Sequence, residues 1–294
     1  MKKNTAPRLN ASGALSSLMA SVICILVGLI IGFVVLFILG WITMAQGGAA
    51  VSLKEMLAKT WASGFKPILH GGFFKTANTM GMGVRMEILQ AAPLIMTGLS
   101  VAFAFKTGLF NIGAAGQYTV GAFFALYSSL MLKLPWWACL IIATLGGALW
   151  GAIPGIFKAY LNVNEVITAI MFNWIGLYGV NTMIYQKGYG PMFNLKTTKT
   201  FTIKESSPES LLPSFNITVN GDEYFGKMFR PSIGIFIAIA VAIVIWVIIN
   251  KTTFGYELKA CGHNKDAAKY AGINEKKNVI LSMTIAGALA GLGA

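Results

Sequence analysis

Charge is scarce in this sequence, and acid is scarcer still. Asp, Glu, Lys and Arg together make up 11% of 294 residues, where a soluble domain carries about 25%. A fully water-exposed surface cannot be assembled from so few charges, and 56% of the residues are hydrophobic. Cysteine is limited to Cys24, Cys139 and Cys261, at spacings that form no disulfide framework or metal site. His70 and His263 stand apart from each other and from the cysteines, which argues against a metal centre. No Gly-x-x-x-x-Gly-Lys-Ser/Thr run occurs, so the chain has no phosphate loop with which to be its own ATPase. The 10 acids face 23 basic residues, a formal net charge of +13. Most lysines lie between apolar runs, as in the cytoplasmic loops of membrane proteins. A nucleic-acid surface would interleave basic residues with exposed aromatics, whereas the aromatics here lie mostly in or beside the apolar runs. The lipid bilayer is an expected partner, and nucleic acid is not.

What is present is a series of long apolar runs. A hydrocarbon core of ~30 Å takes roughly 20 apolar residues in a helix, and the sequence predicts spans at about 18–44, 88–105, 118–132, 136–157, 165–185 and 233–250. A seventh run, 279–294, is short of a full crossing, so the chain looks incomplete at its C-terminus. The fold class expected is all-α: a polytopic membrane protein, one helical bundle over 1–294. The first run is too long for a signal peptide and reads as an uncleaved span. Gly28 and Gly32 form a Gly-x-x-x-Gly step in it, and Gly147, Gly151 and Gly155 line one face of the fourth span, both suited to close helix contact. Residues 45–85 read as a segment along the outer interface. Six crossings between the basic N-terminus and the basic segment 251–278 place both in the cytoplasm, and leave 186–231 as an extracytoplasmic loop. Within that loop, 214–224 is read as a short hairpin around Asn220-Gly221.

Between the second and third runs lies 106–117, Lys-Thr-Gly-Leu-Phe-Asn-Ile-Gly-Ala-Ala-Gly-Gln. Gly108, Gly113 and Gly116 make a continuous helix costly. A glycine-rich interruption carrying amides fits the discontinuous helices of transporters; it fits a short cytoplasmic turn equally well. Asn111, Gln117 and, in the fifth span, Asn173 are candidates for the solute pathway, because amides both donate and accept. Phe110, with Phe103 and Phe105, is placed to stack on a ring, against the plainer reading of lipid-facing or core packing. Asn164 and Glu165 read as a helix cap.

In the segment 251–278, Asp266-Ala-Ala-Lys-Tyr-Ala-Gly272 places Ala267, Ala268 and Ala271 at helical spacings of 3 and 4, a small-residue face beside a charged rim of Lys265, Asp266 and Lys269. This spacing resembles the Glu-Ala-Ala-x-x-x-Gly coupling loop of ABC import permeases, with Asp266 in place of Glu. Gly108-Leu-Phe-Asn-Ile-Gly-Ala-Ala-Gly-Gln117, Val163-Asn-Glu-Val-Ile167, Thr253-Phe-Gly-Tyr-Glu-Leu-Lys-Ala-Cys-Gly262 and Ala267-Ala-Lys-Tyr-Ala-Gly-Ile-Asn274 resemble, in the same order, the permeases of ABC importers for nucleosides and simple sugars. Those are related to branched-chain amino-acid permeases. The resemblance runs from about Glu87 to the C-terminus, and the Phe-Asn-Ile-Gly and Val-Asn-Glu-Val-Ile forms look most like the nucleoside branch. Two departures stand out: that branch usually has Glu where Ala115 stands, and its members continue past the position of Ala294.

The resemblance implies a permease of a bacterial plasma membrane, multi-pass with a cytoplasmic N-terminus, importing nucleosides by alternating access. It implies cytoplasmic ABC ATPase subunits, a second permease subunit and an extracytoplasmic solute-binding protein as partners. The chain itself would be no enzyme and hold no cofactor, with ATP and Mg on the ATPase. Asp266, Ala267, Ala268, Ala271, Gly272 and Gly255 are the residues expected to couple to it. The same machine carrying a simple sugar or a branched-chain amino acid is the nearest alternative. An ion-coupled secondary transporter or channel is a further one, although such proteins often carry acids or bases at mid-membrane as ion relays, and here Glu87 and Glu165 sit at span ends. A membrane scaffold without transport is the third.

Overall fold

The computed structural model describes residues 11–46, 52–66, 82–185, 192–194, 199–215 and 232–294, in two compact units, 1–84 and 85–294. In the first unit, α1 (Ala11–Gln46) is apolar all round, the pattern of a membrane span. Its glycine pair at Gly28 and Gly32 has open space beside it. A second helix, α2 (Leu53–Lys59), starts at a reciprocal capping box: Glu55 N–H donates to Ser52 Oγ at 3.3 Å, and Ser52 N–H donates to Glu55 Oε2 at 3.4 Å. It continues as a π-helical turn over Thr60–Phe65. Met56 is buried beside Gly40 of α1.

The second unit contains α3 (Met82–Lys106), α4 (Ala114–Leu130), α5 (Trp136–Leu161), α6 (Glu165–Tyr185), the short α7 (Ile203–Ser206), α8 (Ile233–Lys251), α9 (Thr253–His263), α10 (Lys265–Tyr270) and α11 (Glu275–Leu292). Among the described residues, the extended structure is a two-residue antiparallel ladder, Phe193–Asn194 with Lys199–Thr200, and an isolated bridge between Ser214 and Ser232. Most of the hairpin expected at 214–224 lies outside the described residues.

Among the described residues, five helices are long and apolar enough to cross a membrane: Met19–Thr43, Glu87–Lys106, Trp136–Leu161, Glu165–Tyr185 and Ile233–Lys251. The chain is therefore an all-α, multi-pass membrane protein. The runs expected at 118–132 and 279–294 form helices with earlier starts, α4 and α11, and these lie inside the bundle. Their Gly, Ala and Ser content serves helix contact, so they do not need the hydropathy of a lipid-facing span.

The bundle centres on α5 and α11, which run antiparallel with backbones in contact. The stripe Gly147, Gly151 and Gly155 meets Gly291, Gly287 and Met283 in reverse order. A Cβ at Gly147 would lie 2.7 Å from Gly291 Cα, and one at Gly121 of α4 would lie 2.6 Å from the same atom. Three helices thus converge where side chains are missing. On the far side, Phe103, Ala104, Ile245, Leu258, Ala286 and Leu289 form an apolar core joining α3, α8, α9 and α11. One end of the bundle gathers 107–113, 158–165 and 253–278, tied by the Lys158–Glu165 ion pair at 2.7 Å and by Lys276 over the Tyr160 ring at 5.1 Å. The other end gathers 131–135, 203–214 and Ser232, tied by Ser210 Oγ donating to Leu134 O at 2.5 Å.

Candidate functional site

The glycine-rich interruption is a capped helix stop followed by a tight turn. Gly108 has φ +74°; its N–H donates to Phe105 O at 3.1 Å, and Leu109 N–H donates to Ala104 O at 3.0 Å. That pair of bonds is the Schellman arrangement, and only glycine enters its left-handed position without strain. Leu109 is buried and packs on Val279 and Met283 of α11, which ties the turn to that helix. Helix α4 then begins at Gly113, which has no side chain to cap it. Asn173, 57 residues away on α6, supplies the cap: Gly116 N–H donates to Asn173 Oδ1 at 2.8 Å, and Asn173 Nδ2 donates to Ile112 O at 3.0 Å.

Asn111 and Gln117 are buried and bonded to each other. Asn111 Nδ2 donates to Gln117 Oε1 at 3.0 Å, and Gln117 Nε2 donates to Asn111 Oδ1 at 3.2 Å. Asn111 Nδ2 also reaches Ser100 Oγ at 3.3 Å, while Ser100 donates to Ala286 O at 2.6 Å. In this conformation the three pathway candidates spend their hydrogen-bonding capacity on one another and on the turn's backbone, leaving little for a solute. Phe110 is exposed and meets Phe105 edge to face at 4.7 Å. Phe103 is buried in the core. Replacing Asn173 with Leu removes both bonds and leaves the part-buried Gly116 N–H without its acceptor, at about 1–3 kcal/mol. Hydrogen exchange over 107–117 is expected to accelerate in Asn173→Leu; unchanged exchange there would contradict the clamp.

Asn164 and Glu165 cap α6 as the sequence suggests. Val166 N–H donates to Asn164 Oδ1 at 2.9 Å, and Glu165 pairs with Lys158.

The proposed coupling residues separate into two sets. Asp266 and Ala267 on α10 and Ala271 just past its end are exposed, beside Tyr270 at 94% exposure. Ala268 points inward and is buried, so the three alanines do not share one outer face. Asn264 caps α10 by accepting from Ala267 N–H at 3.0 Å. Gly272, φ +80°, ends it with a second Schellman pair: Gly272 N–H to Lys269 O and Ile273 N–H to Ala268 O, both 3.0 Å. Gly255 is buried at the α8–α9 corner, where a Cβ would lie 2.6 Å from Ile249 Cα. Its glycine serves that turn and not an outer surface.

Residues outside the sequence candidates join the two regions. Gly262, at the end of α9, lies backbone to backbone on the interruption: a Cβ there would stand 2.6 Å from Thr107 C and 2.8 Å from Gly108 N. Thr107 Oγ1 is in close contact with Ser282 Oγ. Asn278 Nδ2 bonds Glu257 Oε2 at 3.5 Å and Cys261 Sγ at 3.6 Å. Burial raises the Cys261 thiol pKa, with Asn278 acting against that and Glu257 adding to it. The Thr-Gly and Cys-Gly dipeptides were visible, but nothing in the sequence shows that they meet.

In this multi-pass bundle the capped interruption rests on the end of α9, next in sequence to the exposed short helix α10. The chain belongs to the branched-chain amino acid transport system permease component family, whose model matches residues 85–294. It is 40% identical over 235 residues to the guanosine ABC transporter permease protein NupP of Bacillus subtilis (strain 168), covering 79% of this chain and 62% of that protein. It is 38% identical over 245 residues to the nucleoside ABC transporter permease protein NupB of Lactococcus lactis subsp. cremoris (strain MG1363), covering 79% and 64%. The glucose ABC transporter permease protein TsgB13 of Haloferax volcanii is 29% identical over 228 residues, covering 76% and 59%. The chain thus spans less than two-thirds of the length of these relatives. No solved structure matches significantly.

Proposed function

We propose that this chain is a membrane-spanning subunit of an ATP-driven nucleoside importer. The likeness at 38–40% identity to permeases named for guanosine and nucleosides supports the cargo. The contact between Gly108 and Gly262 supports the mechanism, because it joins the interruption to the segment that resembles a coupling loop. Cytoplasmic ATPase subunits bind ATP and Mg and press on α10 through Asp266, Ala267 and Ala271. A helix as short as α10 passes displacement to α9, and Gly262 passes it to Thr107 and Gly108 without an intervening flexible side chain. The turn in its place moves the start of α4, which Asn173 holds to α6. A second permease subunit and an extracytoplasmic solute-binding protein complete the assembly in a bacterial plasma membrane. The N-terminus and the end of the bundle holding 107–113 and 253–278 face the cytoplasm.

Uptake by vesicles carrying the assembly, measured across labelled nucleosides, glucose and branched-chain amino acids, tests the cargo. Nucleosides alone are expected to accumulate; accumulation of glucose or leucine instead would overturn that assignment. Gly272 tests the coupling. A non-glycine residue at its left-handed φ costs about 1–2 kcal/mol, and Asn tolerates that region best. Gly272→Leu is expected to cut uptake several-fold, with Gly272→Asn regaining most of it; equal uptake in both variants and the parent would count against the role.

A further inference from the structure

Helix α11 presents two unlike faces. Toward α5 it is notched: a Cβ at Gly287 would lie 2.9 Å from Gly151 Cα, and a shift along that contact drives backbone into backbone. Toward α3, the interruption and α9 it carries buried polar contacts on three successive turns, at Asn278, Ser282 and Ala286. Asn278 Nδ2 meets Glu257 Oε2 and Cys261 Sγ of α9, Ser282 Oγ meets Thr107 Oγ1, and Ala286 O accepts from Ser100 Oγ at 2.6 Å. The spacing of four puts all of them on one stripe of the helix.

These contacts differ in what it takes to break them. Thr107 Oγ1 also donates to Ala104 O at 2.9 Å, and a helical serine can turn to the carbonyl four residues back. Neither hydroxyl is stranded when Thr107 and Ser282 part. The Asn278–Glu257 bond, at 3.5 Å, is long. Leu109 rests on Val279 and Met283 by apolar contact, which has no preferred direction. Ser100 is held harder, because its hydroxyl donates to Ala286 O and also accepts from Asn111 Nδ2 at 3.3 Å.

We infer that this stripe is a slip plane: the interruption and α9 part from α11 at Thr107–Ser282 and at Asn278, pivoting about Ser100–Ala286, while α5 and α11 stay locked. This rests on the importer reading and deepens it, giving the displacement that Gly262 delivers to Thr107 a surface along which to act. Packed helices shift by sliding on such surfaces. A surface crossed by hydroxyls that keep a second partner does so without leaving a buried polar group unpaired.

Two engineered disulfides test the slip plane, each in a chain with Cys24, Cys139 and Cys261 changed to Ser and in vesicles carrying the assembly. Thr107→Cys with Ser282→Cys puts sulfurs where two hydroxyls now touch, near the ~2.05 Å of a disulfide, and bridges the plane. Ala92→Cys with Gly234→Cys joins α3 to α8 on one side of it, where a Cβ at Gly234 would lie 3.8 Å from Ala92 Cβ. ATP-driven nucleoside uptake is expected to be lost when the first pair is oxidised and to return on reduction, and to be the same in both states of the second. The first pair should also cross-link at a several-fold different rate with ATP on the ATPase side than without nucleotide, a readout independent of uptake. Undiminished uptake with Thr107–Ser282 bridged, equal loss with both bridges, no bridge at Thr107–Ser282, or one cross-linking rate with and without ATP would each overturn the slip plane while parent uptake keeps the importer reading. No ATP-driven uptake by the parent would overturn that reading, and the slip plane with it.

Discussion

Gly262→Ala is expected to reduce ATP-driven uptake by more than about tenfold while the purified protein remains folded. A methyl group there stands 2.6 Å from the carbonyl carbon of Thr107, against a favourable carbon–carbon separation of about 3.5–4.0 Å. Both partners are backbone, so no side chain can rotate away, and overpacking of this kind costs about 1–3 kcal/mol. The strain is relieved by parting α9 from the interruption, the junction through which α10 is proposed to act. Gly108→Ala should be worse, because the same collision adds to a φ of +74° that alanine disfavours. Uptake and ATP hydrolysis measured together separate the consequences: hydrolysis should continue and uptake should not follow it. Parent-level uptake in Gly262→Ala would show that the junction transmits nothing.

The largest effect on stability is expected at the α5–α11 contact. Gly147, Gly287 and Gly291 bring two helices together so closely that added side chains meet backbone atoms directly. Gly147→Ala should cost about 1–3 kcal/mol, as overpacked cores do. Gly147→Leu should force the helices apart and remove most folded protein. Gly28→Leu in α1, where a Cβ meets nothing within 4 Å, provides the matched control. The monodisperse fraction remaining after heating in detergent reports the difference. A Gly147→Leu protein as heat-stable as Gly28→Leu would contradict the helix contact.

Much of this architecture is legible in the sequence because its signals are local. Apolar runs mark the long helices, and the four-residue spacing of Gly147, Gly151 and Gly155 marks a packing face. The same spacing cannot name α11 as the partner, since that depends on a fold spanning more than a hundred residues. The cap at Gly108-Leu109 is readable in retrospect as glycine followed by a buried apolar residue, and Gly272-Ile273 repeats it. Asn274-Glu275 likewise signals the start of α11, where Lys277 N–H donates to Asn274 Oδ1 at 3.0 Å.

The candidate site was less legible, for a physical reason. An amide near membrane depth needs partners, and composition does not say whether they are solute or protein. For Asn111, Gln117 and Asn173 the partners are each other and the turn. Ala268 shows the limit of helical spacing in the same way: α10 is six residues long, and the residue in the middle of the alanine set turns inward.

Proteoliposomes holding this chain with the proposed ATPase and solute-binding subunits test the whole account most directly. With ATP on the ATPase side, labelled nucleoside is expected to accumulate against its gradient, and a non-hydrolysable analogue should support none. Equal accumulation with the analogue, or with no nucleotide at all, would contradict it.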